Sequence, residues 1–168
     1  NAPQAGSSVG SLLDNNAETF FHSNWQSTTA PADGLDHHLT IENLKGIIDL
    51  KFRYQGRSGS NLGDYPTTIK VQGSNNGTDY DDIAVVQPRN ANGGTIGSGA
   101  EWTSERLGNG TQYTYLRFMV TATTTNKKKD GHIYWHMAEF DLFADMYVAE
   151  EKEETAEDFS ELDELLND

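Results

Sequence analysis

At 168 residues the chain is long enough for one domain that buries roughly two thirds of its unfolded surface. Its formal net charge of −14, from 12 Lys and Arg against 26 Asp and Glu, argues against a nucleic-acid partner, because an acidic surface repels phosphate backbones. There is no cysteine to form a disulfide, and no apolar run is long enough to insert into a bilayer.

Asn1 is not an initiator methionine and no signal peptide opens the chain. It therefore reads as a processed product or an excised fragment, which leaves secretion open. The first informative element is Leu12–Thr19, LLDNNAET. Asp14, Asn16 and Thr19 offer a carboxylate, an amide carbonyl and a hydroxyl, with main-chain carbonyls between them. These are hard oxygen donors, the kind calcium takes at about six to eight positions. They are equally the residues that build turns, and the bidentate glutamate of an EF-hand is missing. Next comes FHSNW, Phe21–Trp25: either a core strand leaving the turn or a binding edge built on it. His37 and His38 would point to opposite faces of a strand, one packed and one at an edge.

Ile48–Tyr54 alternates: Ile48, Leu50, Phe52 and Tyr54 fall on one face, with Asp49, Lys51 and Arg53 on the other. Ile69 and Val71 repeat the pattern, as do Leu116, Phe118 and Val120. Gln72–Tyr80 carries Asn76-Gly77, a tight-turn signal between strands. Asn90–Ala100 reads as a long flexible loop. Gly131–Phe143, GHIYWHMAEFDLF, reads as one strand leaving a glycine loop. His132 and His136 on such a strand stand about 13 Å apart, too far for one zinc ion. No nucleophile elbow and no evident glycosidase acid pair is present, so catalysis is not expected. Short strands with Gly/Asn/Asp-rich connections, and no helix before residue 148, predict an all-β antiparallel sandwich. From Val148 to Asp168 ten acids stand against one lysine. Phe159, Leu162, Leu165 and Leu166 fall there at helical spacing, which makes 148–168 an acidic linker or the start of a further helix after a 1–147 domain.

Five stretches, in order, carry a resemblance: Asp14–Phe20 (DNNAETF), His38–Leu44 (HLTIENL), Ser74–Tyr80 (SNNGTDY), Tyr115–Phe118 (YLRF) and Ala138–Phe143 (AEFDLF). Together they resemble the discoidin, or coagulation-factor type C, domain, and more closely the family 32 carbohydrate-binding modules of bacterial glycosidases. Asn15 stands where that family has glycine; Asn tolerates the left-handed conformation such a turn needs.

The resemblance implies an eight-stranded jelly roll with its first and last strands adjacent. It also implies a structural calcium between the opening loop and the closing strand, held by Asp14, Asn16, Thr19 and Glu139 with the carbonyl of Ala138. His22 and Trp25 match a His-x-x-Trp pair of galactose-binding members, Arg57 matches an arginine after the next long strand, and Asn61 sits at a polar ligand-binding position. The chemistry suits a sugar, whose apolar face stacks on an aromatic while His, Arg and Asn bond its hydroxyls. Lys127-Lys128-Lys129 reads as a solvated loop or as a feature that greets an acidic sugar; Trp135 reads as packing rather than a second platform.

The expected function is a monomeric, non-catalytic module, covalently linked to further domains of a secreted, periplasmic or surface protein of a bacterium. It would bind galactose-type or N-acetylhexosamine glycans and target an attached glycoside hydrolase, such as a chitobiase, hexosaminidase or sialidase. The alternative is a discoidin-like adhesion module for protein or lipid headgroups, for which Trp25 is the single candidate apolar spike.

Overall fold

The computed structural model describes residues 3–26, 33–42 and 44–146. The expected boundary at 147 and the helical reading of 148–168 lie outside the described residues. In chain order, a 3-10 turn (Val9–Leu13) precedes β1 (Phe21–His22), β2 (His38–Ile41), β3 (Ile47–Gln55), β4 (Pro66–Ser74) and β5 (Asp81–Val86). Then come β6 (Glu101–Thr103), β7 (Tyr115–Thr123), β8 (Lys128–Lys129), β9 (His132–Ile133), β10 (His136–Met137) and β11 (Glu139–Met146). Two antiparallel sheets carry the fold: β2-β7-β4-β5 and β11-β3-β6. Two short ribbons, β1-β10 and β8-β9, stand beside them.

Strand alternation places the core. Leu50, Phe52 and Tyr54 of β3 are buried while Lys51 is exposed, and Leu116, Phe118 and Val120 of β7 are buried. Phe52 and Phe140 come from one sheet and Phe118 from the other, with ring centroids 4.9–5.7 Å apart. Ring packing of this kind adds about 0.5–1.5 kcal/mol per pair beyond the area buried. The β4–β5 hairpin turns as its Asn-Gly pair predicts. Gly77 sits at φ +73°, Ser74 Oγ accepts from the backbone N–H of Asn76 and Gly77, and Asn76 Oδ1 accepts from Thr78 and Asp79.

Three local expectations change. Gly131–Phe143 is not one strand but β9, β10 and the start of β11, with turns at Asp130 (φ +50°) and Gly131 (φ +83°). The break lets Ser23 clamp Trp135 through its N–H and its hydroxyl, so Trp135 is fully buried, packed on Phe21 and bonded through its indole N–H to the His37 carbonyl. The 90–100 segment is pinned rather than loose: Asn90 Oδ1 accepts from Asn92 and Gly94, and Ile96 is buried. His37 and His38 are both buried instead of one packed and one at an edge.

Candidate functional site

β1 and β10 pair so that His22 lies directly opposite His136. Their rings stand 5.4 Å apart, with Tyr65 edge-on to His136 at 4.8 Å. The Nδ1 of His22 faces the Ser23 carbonyl at 2.7 Å. A carbonyl only accepts, so Nδ1 carries the proton and Nε2 is left as an acceptor. His136 is held the other way round: its Nε2 donates to the Gly63 carbonyl, leaving Nδ1 bare and buried without a partner. Burial holds both imidazoles below the ordinary histidine range, His136 down to about 4, so both are neutral near pH 7.

Arg57 reaches the same place from the loop after β3. That loop is fastened to the 97–100 segment: Gly56 N–H donates to the Ala100 carbonyl, Gly99 N–H to the Gly56 carbonyl, and Gly59 N–H to Ser98 Oγ. A side chain on Gly56 would collide with the Gly97 carbonyl, so glycine is required for this close approach. The guanidinium carbon lies 3.5 Å over the ring of Phe20, just ahead of β1. Among the described residues each other arginine has a hydrogen-bond acceptor: Arg53 has Asp141, Arg89 the Thr67 carbonyl, Arg106 Asp49, and Arg117 Gln72. Arg57 has an aromatic face and, among the described residues, no acceptor.

His22 and Arg57 line a hollow of about 240 Å³. Trp25 and Tyr134 wall it with rings 6.4 Å apart, and Trp25 is 41% exposed. The remaining wall comes from Leu62, Gly63, Asp64, Lys127 and His136. The hollow is smaller than the roughly 300–1,000 Å³ of drug-sized sites, which suits one ring. Larger hollows of about 390 and 460 Å³ lie beside Arg106 and Arg117. Their arginines are already engaged, Arg106 with Asp49, and Arg117 with Gln72 and the Tyr80 ring. Of the four residues expected to touch ligand, His22, Trp25 and Arg57 meet here. Asn61, exposed at φ +57°, is absent from the lining, its place taken by Leu62–Asp64. Tyr134, His136, Asp64 and Lys127 were not expected as a group. The only signal for them is register, since β10 must face β1 for His136 to meet His22.

The opening loop forms a second locus. Asn15 takes φ +55°, the left-handed turn its position calls for. Asp14 Oδ1 accepts from Asn16 N–H, Asp14 Oδ2 accepts from the Thr19 hydroxyl at 2.6 Å, and Glu139 Oε1 accepts from Asn16 N–H at 2.9 Å. The Thr19 bond holds Asp14 below the usual carboxylate range, while burial and the neighbouring Asp14 carboxyl push Glu139 up. Ala138, fully buried, joins this strand to β3 through its N–H to the Gln55 carbonyl. Two carboxyl groups within hydrogen-bond reach need a shared proton or a cation between them. With hydroxyl, amide and main-chain oxygens alongside, the set fits a hard cation such as calcium.

Known proteins give the lineage. The third family 32 carbohydrate-binding module of a family 31 glycoside hydrolase from Clostridium perfringens superposes with a TM-score of 0.59 at 20% identity, over 86% of this chain and 87% of that one. The C-terminal domain of a chitobiase from Bacteroides fragilis gives 0.58 at 18% identity, covering 88% and 91%. The family 32 module of C. perfringens NanJ, solved with galactose, gives 0.54 at 14% identity, covering 84% and 88%. No curated protein sequence matches. The F5/8 type C domain model matches residues 2–139, and the chain belongs to that family.

Proposed function

We propose that the chain is a non-catalytic carbohydrate-binding module whose hollow seats one galactose-type or N-acetylhexosamine ring. The observation that carries this reading is Arg57: a half-buried, permanently charged donor with no acceptor among the described residues, sharing one hollow with the Nε2 of His22 and an exposed tryptophan. A donor, an acceptor and an aromatic face at one hollow match a pyranose, whose hydroxyls both give and take protons and whose C–H face stacks. The shared fold with a galactose-bound module supports the choice of sugar. In this reading the module belongs to a secreted, periplasmic or surface protein of a bacterium and holds an attached glycoside hydrolase on its glycan, as the chitobiase and glycosidase neighbours suggest. The opening loop binds structural calcium through Asp14, Asn16, Thr19 and Glu139, with the Ala138 carbonyl as a further donor. The ion would neutralise the paired carboxylates and tie the loop to β11.

An NMR titration with galactose and N-acetylgalactosamine tests the site. A shallow one-ring site should give a Kd of about 0.1–10 mM. Loss of a stacking face or a charged hydrogen bond, about 1–3 kcal/mol, takes such binding past detection. Trp25→Ala and Arg57→Ala should each lose the shifts while keeping the wild-type thermal midpoint. Equal binding by wild type and Arg57→Ala would place the site elsewhere.

A further inference from the structure

The cations at the hollow are unusually placed for so acidic a chain. Acids outnumber bases 26 to 12, and most arginines and Lys70 lie against oxygen acceptors. Arg57 and Lys127 both line the hollow. Among the described residues neither has a carboxylate within ion-pair reach. Lys127 is fixed at the rim because its carbonyl accepts from the N–H of Tyr134 across the base of the β8–β9 ribbon. Lys128 and Lys129 continue from it along β8.

The opposing charge in the lining is Asp64. One of its oxygens already accepts from the Thr125 hydroxyl, which ties that carboxylate to the loop after β7. His22 and His136 are held as neutral acceptors by their backbone carbonyl partners, and Tyr134 is a neutral phenol. The lining therefore carries two cations against one anion, on a molecule whose sum is strongly negative. With a single carboxylate opposite them, the two cations leave the lining one positive charge over, which an anionic ligand would balance.

We propose that the glycan taken by this hollow carries an anionic group, a carboxylate or a sulfate, on the ring edge that faces Lys127, so that the ligand class is an acidic hexose rather than a neutral one. This rests on reading the hollow as a sugar site. Arg57 supplies the planar donor at the floor, and Lys127 supplies a mobile point charge at the rim that suits either oxyanion.

The test compares three probes at about 0.05 M ionic strength: methyl galactoside, methyl galacturonide and galactose 6-sulfate. One or both charged probes should bind about two- to tenfold more tightly than the neutral one, and whichever gains identifies the oxyanion. That preference should shrink at about 0.5 M salt, where screening acts within a few ångströms. Lys127→Glu should bring the charged-to-neutral ratio to one or below, with Lys127→Gln intermediate. Thermal melts would confirm that both variants fold. If methyl galactoside binds and neither charged probe binds better, the inference fails while the sugar-site reading stands. If none of the three binds, both fail. A preference that survives Lys127→Glu also overturns it, because the charge would then be read elsewhere.

Discussion

His37 is buried at 2% exposure, and burial, with the charge of neighbouring His132 adding to it, lowers its pKa to about 4. The unfolded chain has ordinary histidine near 6.5, so between these values it binds the proton that the folded state refuses. The resulting stability is fully present above about pH 6.5 and is lost as pH falls towards about 4, a change of about 3 kcal/mol for this one residue. The thermal midpoint should therefore fall on acidification across that window, and the His37 ring should titrate by NMR near 4. A His37 titration near 6.5 would refute the prediction. His22 follows the same direction, with its pKa lowered chiefly by burial. If neutral Nε2 is the acceptor offered to ligand, sugar binding should hold across neutral pH and weaken as pH drops through the lowered value. Weakening that sets in already between pH 8 and 7 would show that another group controls binding.

At the scale of elements, the opening loop and β11 are the pair to perturb. Asn16 N–H bonds to Glu139 across 123 residues of chain, and Thr19 bonds to Asp14, so the two carboxyls are fixed against each other. Calcium should raise the thermal midpoint, by about 2.7 kcal/mol of stability at a hundredfold excess over Kd, and a chelator should reverse it. Glu139→Gln should abolish the response to calcium. A midpoint indifferent to both calcium and chelator would count against the ion. These elements also mark what was legible in sequence. β3, β4 and β7 were, since nine-residue strands repeat the period-two pattern often enough to be read, and the oxygen donors of 14–19 sit within one turn. β8, β9 and β10 were not, because two residues cannot display a period. Their positions follow from turns at Asn126, Asp130 and Gly131 and from tertiary pairing. His22, on a strand equally short, was named with Trp25 and Arg57 through the family resemblance and not through a period, and no such match pointed to Tyr134, His136 or Asp64.

For the whole molecule, charge divides the chain unevenly. The stretch 148–168 is highly acidic and low in complexity, so it is expected to add little to a core. Truncation after Tyr147 should leave the thermal midpoint and the sugar isotherm within error of the full chain; a large drop in either would mean that Phe159 and Leu162 dock on the sandwich. The hollow, by contrast, is assembled from β1, the loop after β3, and the 127–136 segment, which span most of the domain. A ribosome-bound chain that has not yet released residues near 136 has Arg57 and His22 but no opposite wall. Such non-local assembly also belongs to the slower, millisecond-to-second folding class. If the hollow is the sugar site, glycan capture switches on only once the 127–136 segment has been made and has closed onto β1, so a sugar-coated resin would separate closed molecules from every intermediate that ends before that segment.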